Sequence, residues 1–398
     1  MSSDAVRAHR ERLQRFAALP DIANLGALVA EAARLYPQRA IIDFFEDGES
    51  LTAAALHELS DRFANGLAAI GLRKGDHVGV MLPNRLEYPV TYLAIAKLGA
   101  VMVPINPRYT ARELHYVLTD AQVGALVIDA EHLPLFDSLV DRPAALENPR
   151  VVVRGAAALE GSRSWEALCA GGAPSFAPSV PVTKDDLLTI LYTSGTTGFP
   201  KGCLLPQDYW LMLARATCAW TELPVTRMLL QNPFHYMNCQ FVLPTALMLG
   251  ATLHVAARPS ASKFIPWIKQ LGIEWCVFPE IVLKQPEAAD DARTQLKLAL
   301  LAAVSPGGQV EIERRFKVPA RELYGMSEIG AGLAMPVHVT DMPGSNSVGI
   351  EMLLRRATIR GEDGAPVKPG EPGELWMAGR GIMKGYFNKP EANADAFR

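Results

Sequence analysis

Apolar residues recur at three- and four-residue steps over 52–71, give way to a nearly unbroken apolar run at 78–82, and then repeat that alternation. Thr52 caps the first predicted helix, whose apolar face is Leu56, Leu59, Phe63, Leu67 and Ile70, and Gly71 ends it. Residues 78–82 read as a buried strand. An amphipathic helix is expected over Glu87–Leu98, stopped by Gly99 and followed by an apolar strand at 100–105. Thr110 with Glu113 forms a capping box that opens a third helix, and 124–128 is a further short strand. Residues 141–182 are rich in Ala, Gly, Pro and Ser and read as a linker between two α/β units. Beyond it, strands are expected at 187–191, 251–256, 273–278, 296–303 and 321–324. After Gly344 the texture changes to short strands with Gly and Pro turns.

Strand, helix, strand in series implies an α/β fold with parallel pairing, right-handed crossovers and helices on both sheet faces. The predicted partition is a first α/β subdomain over 1–180, a second over 181–344 that carries the chemistry, and a small β-rich subdomain over 345–398. In open α/β sheets, ligands bind beyond the carboxyl ends of strands. One segment stands there immediately: 192–202 reads Tyr-Thr-Ser-Gly-Thr-Thr-Gly-Phe-Pro-Lys-Gly, directly after the run 187–191.

Gly195 and Gly198 let successive backbone N–H groups converge on an anion, Thr193, Ser194, Thr196 and Thr197 add hydroxyl donors, and Lys201 adds a point charge. Polyphosphate is the expected guest. The pattern is not a Walker motif, because Pro200 precedes Lys201 and Gly202 follows it. A plain surface turn is the bland alternative, disfavoured by so many hydroxyls in one run.

Composition narrows the partners. The 398 residues exceed one ordinary core. A formal charge of −3 leaves no electrostatic footprint for nucleic acid. Five cysteines without C-x-x-C spacing suggest neither a disulfide framework nor a zinc site, and fit a reducing cytoplasm. The charged N-terminus is not a secretory signal, and no apolar run is long enough to span a bilayer.

The 192–202 run resembles the phosphate-loop signature of the adenylate-forming superfamily, which includes acyl-CoA synthetases, luciferases and peptide-synthetase adenylation domains. The resemblance extends from about residue 30 to 397 and implies ATP, Mg²⁺ and coenzyme A as cofactors. A carboxylate attacks the α-phosphorus of ATP to give an acyl-adenylate, and the acyl group then passes to a thiol. Tyr324-Gly325-Met326-Ser327-Glu328 matches the family's Tyr-Gly-x-Thr-Glu segment, implying that Tyr324 packs on adenine and that Glu328, with Thr193, holds Mg²⁺. On its own this segment reads as a strand-ending turn. Gly307 and Gly308, in Ser305-Pro306-Gly307-Gly308-Gln309, lie where the family lines adenine with backbone; an ordinary turn is the alternative.

In Asn232-Pro233-Phe234-His235-Tyr236-Met237-Asn238-Cys239-Gln240, the resemblance places His235, Tyr236 and Cys239 beside the acyl group. A lone His is otherwise usually structural. Amino-acid-activating relatives carry Asp where His235 stands, which disfavours an α-amino acid. The Phe-His-x-x-x-Cys-Gln run resembles crotonobetaine/carnitine-CoA ligases, so Trp210, Trp220, Tyr236 and Trp275 are candidates for a wall around a trimethylammonium group, or else core residues. The segment 379–386 resembles a shared family stretch expected to be architectural.

The family continues with a Thr-Gly-Asp segment and a small lid domain carrying a lysine, neither of which precedes Arg398. Donors of that kind contribute about 10²- to 10³-fold in rate, so the chain is expected to turn over weakly. The resulting expectation is an ATP-dependent acyl-CoA ligase with Lys201, Glu328 and His235 as catalytic residues. A domain loading a carrier protein and a non-catalytic nucleotide-binding relative are the alternatives. The oligomeric state is open, with a homodimer among the options.

Overall fold

The alternating periods become a parallel sheet flanked by helices. The computed structural model describes residues 3–143, 145–156, 159–193 and 200–397. Packing groups the chain into two compact units, each discontinuous in sequence. The larger comprises Ile22–Leu211, Gln231–Pro259 and Met383–Arg398; the smaller comprises Met1–Asp21, Met212–Leu230 and Ser260–Ile382.

In the larger unit a seven-stranded sheet runs, edge to edge, Arg163–Ser164, Val151–Arg154, Ala125–Asp129, His77–Met81, Val101–Pro104, Leu187–Thr193 and Lys201–Pro206. All neighbours are parallel except the last pair, which forms an antiparallel hairpin. Val103, Leu114, Leu118, Leu126, Ile128, Phe136, Val153 and Ile190 share one core on this sheet. A second sheet of the unit pairs Ala40–Phe44 parallel to Thr252–Val255 and antiparallel to Glu49–Thr52.

The expected caps form. Thr52 accepts from the Ala55 N–H at the head of Ala53–Ala69, and Thr110 and Glu113 make a full capping box on Ala111–Asp120. Gly99 ends Glu87–Leu98 with φ +76°. That helix is not amphipathic, however: every residue from Tyr88 to Leu98 is buried, as suits a segment apolar on all sides. Its single internal charge, Lys97, therefore meets a built partner set. The ammonium lies 2.7 Å from the Asp61 carboxylate, 2.7 Å from the Ser60 hydroxyl and 2.8 Å from both the carbonyl and Nδ1 of His57. Burial nevertheless pulls Lys97 down to about 8, against the opposing pull of Asp61.

The expected linker over 141–182 is a correction. Val151–Arg154 joins the sheet beside Ala125–Asp129, and Trp165–Gly171 is a helix. The three consecutive valines supply the β-branched run that pairing needs, inside otherwise linker-like composition. Trp165 is buried and donates its indole N–H to the Thr91 hydroxyl at 3.0 Å.

The smaller unit has parallel strands Arg227–Leu230, Trp275–Val277, Leu298–Leu301 and Ala320–Met326, continued antiparallel by Gly330–Ala334 and Ile350–Glu351. The hairpin Arg355–Arg360 with Glu374–Gly379 follows, in the region where short strands and turns were expected. Among the described residues, no helix is long and apolar enough to cross a membrane.

Candidate functional site

The strand that enters the phosphate loop runs through Thr193, two residues beyond the expected end, and its return strand opens at Lys201. Thr193 and Lys201 are register partners, so hydroxyl and ammonium flank the mouth of one turn. Ser194, Gly195, Thr196, Thr197 and Gly198 lie outside the described residues. The hairpin is anchored on both sides. The Tyr192 hydroxyl donates to Asp120 at 2.7 Å, and the Tyr116 hydroxyl donates to the Pro200 carbonyl at 2.8 Å. Gly202 is required after the lysine, since a Cβ there would sit 2.6 Å from Ile190 and 3.2 Å from the Tyr192 ring.

In the smaller unit, Tyr324, Gly325 and Met326 end the strand Ala320–Met326, with a register irregularity between Tyr324 and Gly325. Gly325 lets the partner strand approach closely: a Cβ would lie 2.3 Å from the Gly330 carbonyl oxygen. Ser327 and Glu328 form the tight connection, closed by the Ile329 N–H donating to the Met326 carbonyl at 3.1 Å. Tyr324 and Glu328 are half-buried, whereas Met326 is exposed.

Gly307 and Gly308 do not lie in an open turn. They occupy the first turn of the helix Pro306–Phe316, capped by Ser305, whose hydroxyl accepts from the Gly308 N–H at 3.0 Å. Ser followed by Pro at the first helical position is a helix-start signal. The backbone standing directly beyond the strand Leu298–Leu301 is instead 302–304, which sequence reasoning missed. Ala303 there has φ +57°, and its N–H donates to Glu322 at 2.9 Å. Burial raises the Glu322 carboxyl, opposed by the N–H groups of Ala303 and Val304.

His235 is buried, and its Nε2 has no hydrogen-bond partner among the described residues. Burial first, and the Arg108 charge second, push it down to about 4, so it is neutral at physiological pH. Its ring lies 4.3 Å from the ring of Tyr236, which is half exposed. Asn84, which sequence reasoning also missed, clamps this loop: its amide donates to the carbonyls of Asn232 (3.1 Å) and Ala256 (3.0 Å), and its oxygen accepts from the Phe234 N–H (2.9 Å). A cavity of about 240 Å³ opens beside His235, lined also by Asn84, Asn106, Arg108, His132 and Arg258. Cys239 faces the interior instead, fully buried, with its thiol pushed well up by burial.

The tryptophans do not form an aromatic wall. Trp210, Trp220 and Trp275 are core residues at 0%, 0% and 1% exposure, which leaves no ring face for a cation. Trp210 and Trp220 spend their indole N–H groups on the Thr189 hydroxyl and the Met335 carbonyl. Glu328 and Thr193 are hard oxygen donors of the type Mg²⁺ accepts, and no cluster of three or more His, Cys, Asp or Glu suited to a metal occurs among the described residues. A single carboxylate such as Glu328 fits an ion arriving on substrate phosphates, which needs one or two carboxylates, better than a protein-caged one.

Comparison with known proteins shows the family. A feruloyl-CoA synthase from Amycolatopsis sp is 31% identical over 387 residues, covering 94% of this chain and 74% of the relative. A crotonobetaine/carnitine–CoA ligase from Salmonella heidelberg (strain SL476) is 29% identical over 397 residues, covering 94% and 75%. The inhibitor-bound N-terminal domain of FACL13 from Mycobacterium tuberculosis superposes with a TM-score of 0.85 at 25% identity, covering 94% of each chain. The AMP-binding enzyme family matches residues 29–387, nearly the whole chain, and the chain belongs to that family.

Proposed function

We propose that this chain is the large domain of an ATP-dependent acyl-CoA ligase. The observation that carries the reading is the pairing of Thr193 with Lys201 at the carboxyl end of a parallel-sheet strand. The carboxylate of the acid attacks the α-phosphorus, a P–O bond forms and pyrophosphate leaves. The coenzyme A thiol then attacks the acyl carbonyl, and AMP departs. Lys201, Thr193 and the loop residues Ser194, Gly195, Thr196, Thr197 and Gly198 hold the phosphates; donors aimed at developing charge act most strongly in water-excluded sites. Tyr324 packs against adenine, with Gly325, Met326, Ser327 and the backbone near Gly307 and Gly308 alongside. Glu328 and Thr193 would each offer a hard oxygen to the Mg²⁺ that accompanies the nucleotide, which would neutralise phosphate charge. His235 and Tyr236 border the acid, and Cys239 backs that loop from the core.

The acid is short to medium in length and lacks an ammonium group. The burial of Trp210, Trp220 and Trp275 supports this over a betaine, and the absence of a carboxylate at position 235 supports it over an α-amino acid. Coenzyme A is favoured over a carrier protein as acceptor by the coenzyme A ligases among the relatives. Five buried cysteines, none of them in a disulfide, support a reducing, cytoplasmic setting.

Pyrophosphate release, measured over fatty, hydroxycinnamic and betaine acids with coenzyme A present, tests the reading. Release with an uncharged acid, lost at least 100-fold in Lys201→Ala, is the expected result. Release with carnitine or crotonobetaine alone would refute the choice of acid, and full activity in Lys201→Ala would refute the site.

A further inference from the structure

The segment that follows the second hairpin is seated on the phosphate hairpin itself. The Leu204 N–H donates to the Gly385 carbonyl, the Lys384 N–H to the Leu204 carbonyl and the Phe387 N–H to the Gly202 carbonyl, each at 2.8 Å. Tyr386 thereby forms an antiparallel bridge with Cys203, beside the return strand that Lys201 begins. Asn393, on the helix Pro390–Ala396, fixes Tyr386 from behind: its side-chain oxygen accepts from the Tyr386 N–H at 2.6 Å and its amide donates to the Tyr386 carbonyl at 3.0 Å. Three residues beyond Tyr386, Lys389 donates to Asp120 at 2.8 Å, the same carboxylate that receives the Tyr192 hydroxyl. The segment and the strand entering the loop are thus tied to one anchor.

The result is an aromatic face held under a cation. Tyr386 is 8% exposed, and the Lys201 ammonium lies 4.5 Å from its ring centroid. A lysine at a loop mouth has four rotatable bonds and a strongly hydrated head, so holding it costs entropy unless something docks it. A ring face does this without consuming a hydrogen-bond acceptor, because the ammonium is drawn to the ring quadrupole while its N–H donors stay available for phosphate oxygens.

We propose that Tyr386 is a positioning residue that docks the Lys201 ammonium at the mouth of the phosphate loop, ready for phosphate. The proposal rests on the reading of Lys201 given above. It extends the role of the 379–386 stretch beyond architecture.

The test compares Tyr386→Leu, which removes the ring, with Tyr386→Phe, which keeps the ring face. Lys201 is labelled with trinitrobenzenesulfonate, quantified by peptide mass spectrometry and normalised to the exposed Lys368. Affinity for Mg·ATP is measured alongside in Lys201 and Lys201→Ala backgrounds. Tyr386→Leu is expected to raise Lys201 labelling and weaken Mg·ATP binding by about 2- to 30-fold, the range of cation–π strengths, with Phe restoring both. In Lys201→Ala the Leu and Phe variants bind Mg·ATP equally. Unchanged labelling in Tyr386→Leu, equal labelling in Leu and Phe, or an affinity loss that persists in Lys201→Ala would overturn the proposal. If Lys201→Ala leaves Mg·ATP affinity unchanged while the labelling pattern holds, the docking stands and the phosphate-binding reading fails instead.

Discussion

His235 shows how one residue's chemistry is set by what surrounds it. The side chain is buried beside Arg108 with an unpartnered ring nitrogen, so the charged form is penalised twice. Its folded value of about 4 lies below the unfolded value of about 6.5. The stability it contributes is therefore complete above about pH 6.5 and is lost as pH falls from there through about 4, because the unfolded chain takes the proton first. Urea melts of the wild type and His235→Asn are expected to run parallel above pH 7. Below pH 6 the wild type loses additional stability, on the order of 3 kcal/mol by pH 4. Curves that stay parallel down to pH 4 would contradict the neutral, buried state. At working pH an uncharged imidazole would offer an acid bound as proposed a hydrogen bond and shape rather than a counter-charge.

At the scale of elements, the helix Ala111–Asp120 connects a local sequence signal to the site. Its capping box joins Thr110 and Glu113, with Glu113 accepting the Thr110 N–H at 2.7 Å, while Tyr116 and Asp120 further along hold Pro200 and Tyr192. Thr110→Ala is expected to cost about 1 kcal/mol in a denaturant melt, the usual worth of an N-cap. A change under about 0.2 kcal/mol would show the cap to be dispensable. This box, the Thr52 cap and the Gly99 stop were legible because each is a local hydrogen-bond or φ requirement written in adjacent residues. What eluded the sequence depends on distant partners. Val151–Arg154 is a strand only because Ala125–Asp129 offers it an edge, and composition around it points to a linker. Ser305-Pro306 carried a readable helix-start signal, obscured by the two glycines that follow. The order of residues singled out Lys201 and His235 as candidates. It was silent on Asn84, whose three loop contacts lie about 150 or more positions away in sequence. The aromatic wall failed for a related reason, since aromatic composition does not distinguish a lining ring from a core one.

At the scale of the whole molecule, nucleotide binding reads out as folding stability. A ligand that binds only the folded chain stabilises it by mass action, about 2.7 kcal/mol at a free concentration 100 times Kd. An unfolding entropy of roughly 2.1 cal/mol/K per residue gives about 0.8 kcal/mol/K for a chain of this length, so that stabilisation raises Tm by about 3 °C in a single cooperative transition. Mg·ATP at saturating concentration is accordingly expected to shift the melt upward by a few degrees. Chelating the magnesium removes most of the shift if Glu328 engages the ion, and Glu328→Gln then makes the ATP effect insensitive to chelator. Lys201→Ala, acting on the phosphates themselves, reduces the shift with or without magnesium. The two variants thus separate metal-mediated from direct phosphate recognition. An ATP-induced shift that survives in both, with its magnesium dependence intact, would place the triphosphate elsewhere on the molecule.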